Sequence, residues 1–447
     1  MSKSLCESEA EMRVRFYTLG CKVNQYETQA IGRIFEDAGF SLVHSGSADV
    51  LVVNSCTVTA AADKKTRQLV RRLRRENPFG IIVLTGCLPQ AAGSNCNLPQ
   101  ADIITGTSDK KGLVNLVEKR LENYDGKTGD RTSWTGVTAL DDIPFEELTL
   151  KRFDDSFQRA YIKIEDGCDR QCSYCIIPKA RGPVRSCALE FVSKQAACFV
   201  NEGYREIVLT GVNLSRFGSD CNLRLADAVE ACHLAGDFRI RLGSLEPDLV
   251  CEEDFRRFAS MDKLCAHFHL ALQSGCDETL SRMNRPYTTG HFEKVVETAR
   301  AYMPHASVTT DLIVGFPGET DEEFEKTCCF VRRMRFLRAH VFEFSARPGT
   351  PAAAMQGQIP PEVKRERAKV LGEISRNSQQ QYAAAQVGKT TRVLLEASGG
   401  GYNDQYLFVR VPKHSAVGEF VEVLLVKASN GQCEGRLKTV EKISSKG

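Results

Sequence analysis

Residues 160–182 read AYIKIEDGCDRQCSYCIIPKARG: an apolar run, then three cysteines, Cys168, Cys172 and Cys175, in Cys-x3-Cys-x2-Cys spacing. The run predicts a strand, so the cysteines occupy the loop at its carboxyl end. Iron–sulfur cubes are normally held by four thiolates, and three at this spacing leave one iron open. A structural zinc site would use four ligands in paired knuckles. Working outward, five further strand candidates follow: EIVLT, FRIRL, FHLAL, SVTTDLIV and AHVFEF, separated by helical stretches. Six β/α units predict an incomplete version of the eightfold barrel, with its site at the carboxyl ends of the strands.

Upstream, Cys21, Cys56 and Cys87 each lie two residues beyond an apolar run: RVRFYTL, VLVVN and IIVLT. These strands alternate with helical stretches at Gln25–Ala38 and Ala60–Glu76, which predicts a parallel α/β domain. Loops after parallel strands collect along one edge of an open sheet, where ligands bind. The three cysteines are therefore expected to converge into a second three-sided nest. The other reading, buried cysteines acting as small apolar residues, gives no reason for three equivalent loop positions.

At 447 residues the chain exceeds the size of a single core. We place an N-terminal α/β domain at 12–124, a Gly/Thr/Asp-rich connector at 125–153, the partial (β/α)6 barrel at 154–385 and a small all-β module, barrel or sandwich, at 386–447. The 42% apolar and 26% charged composition suits a globular protein, and the net charge of +2 neither favours nor excludes nucleic acid. No run reaches the ~20 apolar residues of a bilayer span, and the N-terminus lacks a signal peptide's apolar stretch. No membrane partner and a cytoplasmic location are expected. There, eighteen cysteines favour metal or thiol chemistry over disulfides.

GCDRQCSYCIIPKARG resembles the cluster loop of the radical S-adenosylmethionine enzymes. YTLGCKVNQYET, VVNSCTVTAAADKKTRQ and VLTGCLPQ, as a set, are similar to the methylthiotransferase branch of that family, and YTLGCKVNQYET to its threonylcarbamoyladenosine tRNA subgroup. The resemblance implies two 4Fe-4S clusters, held by Cys168, Cys172 and Cys175 and by Cys21, Cys56 and Cys87, with S-adenosylmethionine on the open iron of the first. It implies methylthiolation of carbon 2 of N(6)-threonylcarbamoyladenosine beside the anticodon. The sister subgroups act on isopentenyladenosine in tRNA or on an aspartate of a ribosomal protein. An iron–sulfur protein that binds RNA without catalysis is the reading from another class. Implied partners are tRNA, a low-potential one-electron donor and a sulfur source.

Thr210, Gly211 and Asn213 in LTGVN, Gln273 in LQSG, and VGFPGET at Gly315–Thr320 resemble segments that line the S-adenosylmethionine pocket and substrate cleft; each alone reads more readily as turn punctuation, and their joint placement at one barrel face favours the site. Arg181 follows the cluster loop, where bidentate pairing with a bound carboxylate would suit it. Arg347, in FSARPGTPAAAM, is expected at the cleft or the RNA, and Asp311 is left without a role. LGSLEP, LALQSG and LPQ after Cys87 depart from the subgroup pattern. KKTRQLVRRLRR at Lys64–Arg75 reads as a solvated helix face or a phosphate contact. The C-terminal strands TRVLLEA, YLFVRV and FVEVLLVKA resemble the small β-barrel appended to RNA-modifying enzymes (TRAM-like), with Tyr402, Tyr406 and Phe408 as stacking candidates or core. His267 and His269 share a strand; one is expected to face the barrel interior, and neither has the sequence companions of a metal site.

Overall fold

Val50–Ser55 and Ile81–Gly86 are buried along their whole length, as β-branched strands are when a parallel sheet is covered on both faces. In the computed structural model, which describes residues 11–122, 134–152, 159–396, 398–411 and 417–438, they are the centre of a six-stranded parallel sheet. Its strands are β1 (Arg13–Thr18), β2 (Ser41–Leu42), β3 (Val50–Ser55), β4 (Ile81–Gly86), β5 (Ile103–Thr105) and β6 (Trp134–Gly136), in the order β2-β1-β3-β4-β5-β6. The helix at Ala60–Glu76 starts where the Thr59 hydroxyl accepts from the Ala62 N–H, and it buries only Thr66, Val70 and Leu73. Lys64, Lys65, Arg71, Arg72 and Arg75 are exposed on the face turned from the sheet, whereas Arg74 turns inward and pairs with Asp102. β6 lies inside the stretch read as connector. Three edge residues, fixed by the Trp134 N–H on the Asp102 carbonyl, are too few to show a period. Residues 125–133 and 153 of that stretch lie outside the described residues.

The chain divides into two compact units. Met1–Leu150 forms the first with Gly167–Asp169 and Cys175–Pro183; Lys151–Asp166, Arg170–Tyr174 and Val184–Gly447 form the second. In the second, β7 (Arg159–Lys163), β10 (Glu206–Thr210) and β11 (Arg239–Leu242) pair in parallel, and β8 (Glu165–Asp166) pairs with β9 (Arg185–Ser186). β12 (Ser244–Leu245), β13 (His267–Leu270), β14 (Ser307–Val314) and β15 (Arg338–Glu343) continue the parallel run, and a bridge between Ile240 and Leu264 joins the two groups. All six sequence-read barrel strands are present, in chain order. The helix Pro361–Ala384 packs on the outer face of β15, where the Ala339 N–H meets the Ser375 hydroxyl.

A closed five-stranded barrel ends the described chain: β16 (Thr390–Glu396), β17 (Gly400–Asn403), β18 (Phe408–Arg410), β19 (Phe420–Ser429) and β20 (Gln432–Leu437). It is docked on the amino ends of the larger barrel's strands. There Glu206, fully buried, receives Arg239 at 2.6 Å and Arg241 at 3.2 Å. The same two arginines also donate to the backbone carbonyls of Tyr402 and Asn403. Tyr402 stacks on Tyr406 at 4.6 Å, Tyr406 on His267 at 4.7 Å, and Phe408 meets Tyr402 edge-on. The three aromatics are thus engaged in packing at this seam. Among the described residues, no helix is long and apolar enough to cross a membrane.

Candidate functional site

The N-terminal nest is assembled by loops that the sheet forces into register. Cys21 caps the helix Lys22–Asp37, Cys56 follows β3, and Cys87 opens the helix Cys87–Ala92. Gly20 and Gly86 hold the turns, with φ of +115° and +99°. A Cβ on Gly20 would sit 2.7 Å from that of Cys56, and one on Gly86 only 2.5 Å from Asn54 Oδ1; glycine is required at both for this close approach. The three thiols are electrostatic neighbours. Burial pushes the Cys87 thiol up to about 11, Arg181 beside it pulls it back, and the Cys21 and Cys56 sulfurs push it up again.

Arg181 is placed differently from its sequence reading as a partner for a bound carboxylate. It is 1% exposed. Its Nε donates to Cys87 Sγ at 3.3 Å, and its terminal nitrogens donate to Glu27 at 2.5 and 3.1 Å and to Asn24 Oδ1 at 2.7 Å. The Asn24 amide also donates to the carbonyls of Leu19 and Ser55, tying the Cys21 loop to the Cys56 loop. Lys110, buried beside Thr85 and Gly106, is lowered by burial but supported by Glu27. Asn24, Glu27 and Lys110 were missed from sequence. The available signal was Asn24 and Glu27, three apart after Cys21 and so on one helix face.

Two cations, Arg181 and Lys110, share the buried carboxylate Glu27, and a second carboxylate, Glu146, also supports Lys110. Arg181, with one donor on Cys87 Sγ, matches a donor set of thiolates, and its charge offsets part of the negative charge of a cluster bound by three of them. The residues present fit an iron–sulfur cluster. Among the described residues all cysteines are free.

In the Cys168–Cys175 loop, the Cys168 N–H donates to the Gly182 carbonyl and Cys175 Sγ accepts the Ile177 N–H at 3.4 Å. Within the second unit, Cys172 is buried and its sulfur accepts Arg285 Nη1 at 3.1 Å. Arg285 is held in turn by Glu246 and by the Tyr287 hydroxyl. Glu246, in LGSLEP, supplies the carboxylate that fixes the arginine. Arg285 was also missed, because 113 residues separate it from Cys172.

The barrel loops are tightly specified. At LTGVN, the Asn213 N–H donates to the Glu165 carboxylate at 2.7 Å, and a Cβ on Gly211 would lie 2.5 Å from Glu165 Oε2. Burial, helped by Asp166, raises the Glu165 carboxyl well above the usual range. Thr210 and Asn213 are buried. Gln273 has a φ of +68°, a conformation that costs a non-glycine residue energy and is typical of working sites; its backbone is clamped to β14 through the Asp311 carbonyl and the Ile313 N–H. At VGFPGET, Glu319 accepts the Gly315 N–H and Arg367, and Thr320 caps the helix Asp321–Met334. Arg347 is 5% exposed and its carbonyl accepts from Thr350. Contrary to the sequence reading, His267 and His269 share one face, as residues two apart on a strand must: both rings bond the Thr309 hydroxyl at 2.9 Å.

Residues 13–106 match the family model described as Uncharacterized protein family UPF0004, and residues 162–331 match the Radical SAM superfamily. The chain is 39% identical to the threonylcarbamoyladenosine tRNA methylthiotransferase MtaB of Thermotoga maritima, over 91% of this chain and 92% of that one. It is 37% identical to the protein of the same name from Bacillus subtilis, over 96% of each. Among solved structures, the radical S-adenosylmethionine methyltransferase TsrM of Kitasatospora setae aligns with a TM-score of 0.53 at 15% identity, over 77% of this chain and 75% of that one; this likeness concerns the fold alone. With a UPF0004 segment joined to a radical barrel, and relatives above 30% identity along nearly its whole length, the chain belongs to the radical S-adenosylmethionine methylthiotransferase family.

Proposed function

We propose that this protein methylthiolates carbon 2 of N(6)-threonylcarbamoyladenosine beside the anticodon of tRNA. The observation that carries the reading is the nest of Cys21, Cys56 and Cys87, three thiols at the carboxyl ends of adjacent parallel strands with the buried Arg181 guanidinium donating to one of them. It occurs in a chain whose relatives named for that reaction align over nine-tenths of its length. In this reading Cys168, Cys172 and Cys175 hold one 4Fe-4S cluster and Cys21, Cys56 and Cys87 the other. When bound, these groups with S-adenosylmethionine supply a 5′-deoxyadenosyl radical and the sulfur that is transferred.

The chain's own residues orient and tune. Arg285 donates to Cys172 and Arg181 to Cys87; hydrogen bonds to ligand sulfurs and nearby positive charge set a cluster's potential. Arg181 thus serves the N-terminal nest. Thr210, Gly211, Asn213 and Gln273 shape the S-adenosylmethionine pocket from backbone held in place by Glu165 and β14. A low-potential electron donor and a sulfur source are required, and the cytoplasm is where tRNA is met.

RNA contact is supported by two surfaces. One is the exposed basic face of the helix Ala60–Glu76. The other is a cleft of about 580 Å³ at the seam of the two barrels, lined by Arg300, His305, Arg335, Lys389 and Arg392. Among the described residues none of these side chains is paired with a carboxylate, and Arg300 is held below its usual range by burial and further by Arg335. Unneutralised cations along a groove suit a phosphate backbone.

Mass spectrometry of tRNA nucleosides from a deletion strain tests the reading. Loss of the methylthio group from threonylcarbamoyladenosine is expected. Loss from isopentenyladenosine, or a changed ribosomal protein mass with intact nucleosides, moves the chain to a sister activity. Failure of the cluster-loaded, reduced protein to form 5′-deoxyadenosine from S-adenosylmethionine removes it from catalysis altogether.

A further inference from the structure

Two imidazoles and a carboxylate meet inside the larger barrel, away from the cysteine loops. β13, β14 and β15 are parallel neighbours; Asp311 stands directly opposite His340, and His269 is paired with Thr309, two residues before Asp311 and on the same face. One ligand atom from each of His269, Asp311 and His340 lies within 4.8 Å of the other two. His269 Nε2 is 3.3 Å from Asp311 Oδ2. Donor atoms bound tetrahedrally to zinc at about 2.0–2.1 Å stand roughly 3.3–3.4 Å apart, so this pair already spans one edge of such a site.

The histidine is oriented from behind. His269 Nδ1 is 2.9 Å from the Thr309 hydroxyl, which also bonds His267 Nε2 at 2.9 Å. In the tautomer in which Nδ1–H donates to Thr309 and the hydroxyl hydrogen goes to His267, His269 Nε2 presents its lone pair toward Asp311; with both bonds reversed, Nε2–H donates to Asp311 and no metal is needed. Metal-ligating histidines are held in the first way, through their second ring nitrogen. Side-chain exposures of 17% for His269 and 31% for Asp311 leave an ion a route in.

We propose that His269, Asp311 and His340 bind a zinc ion on the inner face of the barrel. Two imidazoles and one carboxylate on adjacent positions are a donor set that suits zinc and leaves coordination positions open. Here the open positions face the barrel interior, where an oxygen-bearing ligand can complete the shell. The competing reading is an ion pair between a protonated His269 and Asp311 that needs no metal.

The test uses the anaerobic, cluster-loaded protein equilibrated with zinc at fixed free concentration and then gel-filtered. Retained zinc should show nitrogen and oxygen neighbours at about 2.0–2.1 Å at its absorption edge. Asp311→Asn and His340→Asn should each lower the retained zinc at least tenfold, with iron content and the cluster absorbance unchanged. Thr309→Val should weaken zinc binding by about tenfold. Zinc with sulfur neighbours near 2.3 Å, equal retention in wild type and variants, or no retention at all would overturn the proposal. Because neither RNA nor S-adenosylmethionine is present, the result is independent of the methylthiotransfer reading.

Discussion

Arg181 in the first unit and Arg239 with Arg241 in the second are all buried to within 2% of full enclosure, yet their surroundings differ in kind. At the barrel seam, Arg159, Arg239 and Arg241 meet Glu206, Glu396 and Asp404, and carbonyls of the β-module take the remaining donors. Charge is matched among protein groups. At the cysteine nest Arg181 and Lys110 share Glu27, Glu146 also supports Lys110, and one Arg181 donor goes to a sulfur, Cys87 Sγ. A buried arginine whose donors all meet carboxylates and carbonyls holds two parts of the protein together; one with a donor on a thiol is prepared for an anionic group there. Burial alone does not separate structure from site, and the kind of acceptor around the buried group does.

The sharpest break is at the thiols. Cys56→Ala should abolish methylthio product and remove about half the iron while 5′-deoxyadenosine formation persists, whereas Cys172→Ala should stop both. Persistence of product in Cys56→Ala would end the assignment of the nest. Next come the two ionic clusters. Arg181→Met leaves Glu27 buried with reduced compensation, and Glu206→Gln leaves three arginines facing a neutral amide; each should cost about 3–5 kcal/mol in denaturant unfolding. Only Arg181→Met should also lower iron bound per chain. Equal iron loss in both would mean that the contrast drawn between them is wrong.

The pH response sharpens the same contrast with a smaller effect. Burial opposes ionisation of Glu206, but Arg241, Arg239 and Arg159 outweigh it and hold its carboxyl below the usual range. A depressed folded-state value stabilises fully above the unfolded value, about 4.3, and is lost as pH falls below it. Glu165 is shifted the other way, so the folded state keeps its proton and stability declines as pH rises above about 4.3. Melting temperature against pH should therefore flatten on the acid side in Glu206→Gln and on the neutral side in Glu165→Gln. The smallest effect is expected at the seam cleft. Arg335→Ala with Lys389→Ala should weaken tRNA binding several-fold and reduce the slope of log K against log salt by about 1 to 2, while 5′-deoxyadenosine formation without tRNA stays unchanged. An unaltered slope would take the cleft out of the RNA path.

Much of this was legible in the chain. The apolar runs before Cys56 and Cys87 announced strands, because a segment buried on both faces has no choice but to be apolar throughout; the run before Cys21, with Arg13 and Arg15, is half-exposed and was read from its alternation. β5 and β6 were not visible, since three residues carry no period. The face shared by His267 and His269 was also misread, although the two-residue repeat of a strand dictates it.

Residue type and local spacing determined, without any coordinates, the parallel sheets, the partial barrel, the all-β character of the terminal module and the identity of six cysteines as candidate ligands. Those properties depend on neighbours within a few residues, which a strand's period or a helix's turn brings together by itself. Only the folded chain decided that Arg181 belongs with Cys87, that Arg285 reaches Cys172, and that His269, Asp311 and His340 share one face of three strands. Such pairings join residues up to 113 apart. They are fixed by which strands lie side by side and by the need to find a partner for every buried charge.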